Sequence, residues 1–219
     1  MSEQEFTACV IGVSAIAGGG KTTLTRHLLA WFGDALLVAF DDYDMAGMIT
    51  VDWAFEQWRQ TGVDFNAWKM PQLASDLARL KSGESIQSPL DGAEIAPKPV
   101  IIFEAPLGRE HAATADLIDF LVWIATPLEV GLARFLLGLQ EHSKWDAAKP
   151  WGLPEIQGEL RQYLASTRMI YHDQTQRVGN HCDLRVDGLL PPEEVAQHVI
   201  QHLPEHIQEL QKKRATYSV

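Results

Sequence analysis

The chain has 219 residues, 46% of them hydrophobic and 21% charged, enough for one globular domain with a buried core. Its 18 Lys plus Arg face 29 Asp plus Glu, a formal charge of −11 that repels phosphate backbones and anionic lipid headgroups, so neither nucleic acid nor a membrane surface is an expected partner. No apolar run reaches the roughly 20 residues a bilayer span requires. Met1-Ser2-Glu3-Gln4-Glu5 is acidic where a secretory signal is basic, and two cysteines, Cys9 and Cys182, build no disulfide framework. A soluble cytoplasmic protein with two buried free thiols is expected.

In chain order, short apolar runs alternate with segments of helical period, the pattern of an α/β protein with a parallel sheet. Ala8–Val13 is the first strand-like run, followed by a helix marked by Leu24, Leu28 and Trp31. Leu36–Phe40 is the second, and Leu73, Leu77 and Leu80 then mark a helix ending at Gly83. Ser85–Pro99 holds three prolines and an Asp-Gly turn and reads as a hairpin or loop excursion. Val100–Phe103 and Phe120–Ala125 are the third and fourth runs; all four are nearly continuous in apolar residues, as central strands covered on both faces are. Pro127 opens a helix carrying Leu128, Leu132, Phe135, Leu136 and Leu139. The stretch from His142 to Pro154, with Trp145, Pro150, Trp151 and Gly152, lacks a period and reads as a mobile connection. Leu160, Tyr163, Leu164, Thr167 and Tyr171 outline another helix. Cys182–Asp187 alternates with period two and belongs nearer a sheet edge, and Val195, Val199 and Leu203 mark the next helix. The tail after Pro204 is polar, with Lys212-Lys213-Arg214 as a solvated helix end.

The sharpest signal runs from Val10 to Leu24: an apolar strand, a turn of small residues, then Gly20-Lys21-Thr22-Thr23 opening a helix. Backbone N–H groups converge on an anion at a helix N-terminus only where no bulky side chain obstructs the approach. This is the pattern of a phosphate-binding loop (P-loop). Ala17, Gly18, Gly19, Gly20, Lys21, Thr22 and Thr23 are the expected nucleotide-binding residues, Lys21 reaching the β- and γ-phosphates and the Thr22 hydroxyl ligating Mg²⁺. Where the pattern has glycine six positions before the lysine, this chain has Ala15, which takes a positive φ only at a cost, so Gly18 and Gly19 are left to supply the freedom.

In such sheets ligands bind off the carboxyl ends of the strands. The second run ends on Phe40 and delivers Asp41-Asp42-Tyr43-Asp44, and the third ends on Glu104. One carboxylate there can take the proton of an attacking hydroxyl and another can orient the water shell of Mg²⁺, although a surface turn or a plain strand end would have the same composition.

Together, Gly12-Val13-Ser14 to Thr23, Phe40-Asp41-Asp42-Tyr43 and Ile101-Ile102-Phe103-Glu104 resemble the uridine kinase and nicotinamide riboside kinase group of P-loop kinases, of which phosphoribulokinase and pantothenate kinase are more distant members. The similarity continues through Val63–Trp68, Gln162–Arg168 and Asp183–Val186. The resemblance implies a three-layer α/β/α P-loop fold with a five-stranded, mostly parallel sheet. It implies one kinase domain over 1–219, with an acceptor-binding insertion at about 41–99 and a small lid at about 142–155 that closes over the reaction. It also implies ATP as co-substrate, Mg²⁺ as cofactor, a small-molecule acceptor, and a monomer or homodimer. Asp41 would be the general base, with Asp42 as the fallback; Asp64, Arg168 and Tyr43 would bind the acceptor. Glu104 would stand in the metal's outer shell and Arg134 would face the phosphates. The family lid usually carries several arginines, where His142–Glu155 offers Lys144 and Lys149.

Residues 41–70 carry six acids (Asp41, Asp42, Asp44, Asp52, Glu56, Asp64) and two bases (Arg59, Lys69). A phosphorylated acceptor needs a surplus of Arg or Lys, so a neutral or cationic polyol such as a nucleoside is expected. Trp53, Trp58 and Trp68 could stack on a base or fill the core, and His111 could touch substrate or sit in a surface loop. Kinases of other small metabolites, such as a sugar or a pantothenate-like compound, stay open. So does a nucleotide-binding regulatory NTPase, although the chain has no Asn-Lys-x-Asp guanine-reading sequence, and so does a P-loop protein that binds nucleotide without turnover.

Overall fold

The computed structural model describes residues 6–141 and 152–217, with backbone alone for 139–141 and 212–217. Most of the expected lid, including Lys144 and Lys149, lies outside the described residues. Strands β1 (Cys9–Ser14), β2 (Ala35–Ala39), β3 (Val100–Glu104), β4 (Phe120–Ala125) and β5 (Leu184–Asp187) form one sheet in the order β2-β3-β1-β4-β5, every pairing parallel. The described α-helices longer than four residues are α1 (Lys21–Phe32), α2 (Phe40–Met45), α3 (Phe55–Thr61), α4 (Pro71–Lys81), α5 (Leu128–Glu141), α6 (Leu153–Gln162), α7 (Arg168–Arg177), α8 (Pro192–His202) and α9 (Glu205–Tyr217).

Side chains alternate across the strands and build a core on each face of the sheet. Ile11 and Val13 of β1, with Ile102 and Val122, pack against Leu24, Leu28 and Phe32 of α1 and Val195 and Val199 of α8. On the other face Val10, Ile101, Phe103, Leu121 and Trp123 meet Leu73, Leu77 and Leu80 of α4 together with Trp58 and Phe65. The three-layer α/β/α fold therefore stands as expected, as does the edge position of β5. Ser85–Pro99 contains the expected hairpin, Ile86–Gln87 against Glu94–Ile95.

Four details differ from the sequence reading. β2 is an edge strand rather than a central one: among the described residues it pairs only with β3, and Ala35, Leu36 and Leu37 are half-buried. Its apolar composition reflects helices over its faces, not strands on both sides. Phe40 begins α2 instead of ending β2, so Asp41 and Asp42 sit in the first turn of a helix, where carboxylates suit the positive end of the dipole. Between α6 and α7 the helix makes a π-turn, Tyr163–Thr167, whose extra residue shifts the helical phase. Leu160 and Leu164 are consequently exposed, Leu164 to 77%, while Tyr163 and Ile170 are buried. Finally, Cys9 and Cys182 are free but only half-buried; burial pushes both thiols up, Cys9 to about 12, which keeps it protonated and inert. No described helix is long and apolar enough to cross a membrane.

Candidate active site

Parallel register brings the chemistry to one rim. Val13 of β1 and Ala39 of β2 both stand beside Glu104 of β3, so the loop after β1, the start of α2 and the Glu104 carboxylate meet at the carboxyl ends of adjacent strands. The loop bends through two left-handed glycines, Gly18 (φ 68°) and Gly20 (φ 103°), the latter capping α1. A Cβ on Gly18 would lie 2.1 Å from the Gly131 oxygen, and one on Gly19 2.6 Å from the Ala15 Cβ, so both must be glycine. Ala15 is buried, and no non-glycine residue among those described has a positive φ. The alanine thus fits a position that needs no left-handed backbone, and Gly20, more than Gly19, supplies the second turn. Thr126 Oγ1 donates to the Gly19 oxygen at 3.0 Å and pins the loop to the end of β4.

Lys21 Nζ donates to the Ala15 and Ile16 oxygens at 3.1 and 3.2 Å, folding over the cradle whose amides open α1. Thr22 and Thr23 are exposed at the start of that helix. Glu104 is 5% exposed and accepts from Thr25 Oγ1 at 3.2 Å, which anchors its carboxylate next to α1.

Lys21 and Glu104 open into a cavity of about 320 Å³ whose wall also includes Ala15, Ala17, Asp41, Trp53, Trp68, Tyr163 and Tyr171; Gly18, Gly19, Gly20, Thr22 and Thr23 do not line it. Asp41 therefore faces the cavity, whereas Asp42 does not line it. Burial first, then the Asp41 charge, holds the Asp44 carboxyl above the usual carboxylate range. Burial, followed by the charges of Glu159, Tyr163 and Asp41, pushes the Tyr171 phenol up to about 12, so it is a neutral O–H donor at physiological pH.

The other expected acceptor residues go elsewhere. Tyr43 is in the core, its hydroxyl donating to the buried Asp76 at 3.1 Å, because the first turn of α2 directs it inward against α4. Asp64 does not line the cavity; its carboxylate accepts from the Asn66 N–H at 2.9 Å and caps a short 3₁₀ turn. Arg168 is exposed at the start of α7, and Arg134 donates to the Gly188 oxygen at 2.9 Å; neither lines the cavity. Of the three tryptophans, Trp58 is core at 3% exposure, while Trp68 and the 54%-exposed Trp53 form a cavity wall with ring centroids 5.6 Å apart. His111 is buried, not a surface-loop residue, and does not line the cavity. Its Nε2 is 2.9 Å from the Trp68 oxygen, and burial foremost lowers its pKa, so a neutral ring donates to that carbonyl and steadies the Trp68 wall.

Sequence reading missed Glu159, Gln162 and Gln174, which line the cavity from the α6–π–α7 helix. The spacing of Tyr163, Thr167 and Tyr171 marks this face, but the π-turn hides it from a 3.6-residue template.

No protein-family model matches the chain. It is 24% identical over 199 residues to the uridine kinase of Ligilactobacillus salivarius, covering 85% of this chain and 88% of that protein. It is also 23% identical over 223 residues to the uridine kinase of Chlamydia pneumoniae, covering 95% and 94%. Over most of its length the chain is thus similar in sequence to uridine kinases. Its fold agrees with a solved structure described as "a Possible Uridine Kinase from Bacillus stearothermophilus", at TM-score 0.52 and 12% identity over 85% of this chain and 92% of that one.

Proposed function

We propose that this chain is an ATP-dependent kinase that passes the γ-phosphoryl group to a hydroxyl of a small, non-phosphorylated, nucleoside-like metabolite. The observation that carries the reading is a single cavity lined by Ala15, Ala17 and Lys21 of the loop, by the Asp41 and Glu104 carboxylates, and by the aromatic residues Trp53, Trp68, Tyr163 and Tyr171. The amides of Gly18 to Lys21 bind the phosphates, Lys21 neutralises charge on the β- and γ-oxygens, and Asp41 accepts the proton of the attacking hydroxyl. The donor set at the loop suits Mg²⁺. This ion takes one or two protein oxygens and completes its shell with water and phosphate, so the Thr22 hydroxyl and the Glu104 carboxylate would hold it without an all-protein cage. When bound, it neutralises charge on the transferred group.

With Lys21 as the one base lining the cavity among the described residues, against Asp41, Glu104 and Glu159, the acceptor is neutral or cationic rather than phosphorylated. The free thiols agree with a reducing cytoplasm, and the net charge of −11 argues against nucleic acid. The test is ADP release from Mg-ATP with and without nucleosides, riboses and vitamins. A nucleoside that raises turnover and appears as its monophosphate supports the reading. Hydrolysis indifferent to every acceptor, or no calorimetric heat with Mg-ATP, removes it.

A further inference from the structure

Gln174, on α7, is 4% exposed and lines the cavity. Its Nε2 donates to the Pro106 oxygen at 3.0 Å, and its Oε1 has no hydrogen-bond partner among the described residues. The assignment of the amide is settled by chemistry: a proline carbonyl can only accept, so the nitrogen must face it and the oxygen must point away. Ser14 Oγ donates to the same carbonyl at 3.3 Å, which fixes the amide relative to the end of β1. A buried acceptor oxygen without a donor is costly, and one on a cavity wall can be satisfied by a bound ligand, unlike the other unpaired buried group among the described residues, Trp123 Nε1, which does not line the cavity. Of the polar groups lining the cavity, Asp41, Glu104 and Glu159 present carboxylates, which accept when ionised, and none of the donors (Lys21, Gln162, Tyr163, Thr167 and Tyr171) bonds to this oxygen.

We propose that Gln174 Oε1 accepts a hydrogen bond from an O–H or N–H of the phosphoryl acceptor, making Gln174 a specificity-determining residue that selects acceptors bearing that donor. The inference rests on the kinase reading above and names which chemical feature of the acceptor this site reads. An acceptor whose corresponding group is deleted or alkylated leaves the amide oxygen buried and unpaired, and is discriminated against.

The experiment measures kcat/KM of the full chain and of Gln174→Met with uridine, 2′-deoxyuridine, 3′-deoxyuridine and N3-methyluridine, each analogue lacking one donor. Methionine keeps the volume, and Pro106 retains its bond from Ser14. The expected result is a loss of at least about ten-fold for uridine in the variant, with the KM for ATP and the melting temperature unchanged. One analogue should already be at least about ten-fold poorer than uridine with the unaltered chain, and Gln174→Met should alter its kcat/KM by less than about two-fold. An equal loss with all four acceptors overturns the inference, as does an unaltered chain that uses all four equally, a result that needs no variant. Uridine turnover unaffected by the substitution removes the inference and leaves the kinase reading standing. Failure of the unaltered chain to phosphorylate any of the four removes the nucleoside reading and this inference together.

Discussion

Two carboxylates adjacent in sequence, Asp41 and Asp42, have different surroundings: only Asp41 lines the cavity that also holds Lys21 and Glu104. Asp41→Asn should lower kcat by roughly 10²–10⁴-fold, the range for losing a general base, while Mg-ATP still binds by calorimetry. Asp42→Asn should leave kcat within a few-fold; if the two variants behave the other way round, the base is Asp42. Lys21→Ala should cost about 100-fold or more in turnover through lost charge neutralisation, with the circular dichroism spectrum and melting temperature unchanged. That ammonium bonds to loop carbonyls, and no packed core depends on it.

The helices place these residues and also explain why one expected role fails. The first turn of α2 puts Asp41 in the cavity and Tyr43 in the core, where the hydroxyl and Gln72 Nε2 both donate to Asp76. Burial and the neighbouring Asp76 push the Tyr43 phenol well above its usual range, so it stays a donor. Tyr43→Phe leaves a buried carboxylate one partner short and should cost about 1–3 kcal/mol of stability by urea denaturation. The acceptor KM should not change, and a several-fold rise would return Tyr43 to the acceptor site. The same distinction governs the α6–π–α7 helix. Read at 3.6 residues per turn, Leu160 and Leu164 belong to the buried face, yet the π-turn exposes both and gives Glu159, Tyr163, Tyr171 and Gln174 to the cavity. No turn or breaker residue marks such a bulge, so its phase shift was not legible.

At the level of the whole molecule, what was legible follows from local chemistry repeated along the chain. Continuous apolar runs forced a covered parallel sheet, and the glycines before Lys21 forced a bend at a helix start. What stayed hidden depends on contacts between distant segments: β2 at the edge, His111 under the Trp68 carbonyl, and Asp64 spent on its own turn. One such contact joins three parts of the chain. Glu110 pairs with Arg177 of α7 and with His181, while Arg177 also donates to the Val63 oxygen and lies 4.7 Å over the Phe65 ring. Burial works to raise the Glu110 carboxyl, but hydrogen bonds from His181 and Arg177 outweigh it and hold the group below its ordinary range. His111 is shifted the same way, its ring held neutral mainly by burial. Both groups bind protons less readily folded than unfolded, so both lend stability above their unfolded values and lose it as pH falls towards their folded ones. The loss from His111 begins below about pH 6.5 and that from Glu110 below about pH 4.3, the ordinary values of the two side chains. Urea midpoints measured from pH 8 to pH 3 should therefore decline in two stages. His111→Asn should flatten the upper stage and Glu110→Gln the lower. A His111→Asn protein that keeps the full decline between pH 6.5 and 5 would show that the imidazole under the cavity wall is free to take up its proton, and that the Trp68 carbonyl is held by something else.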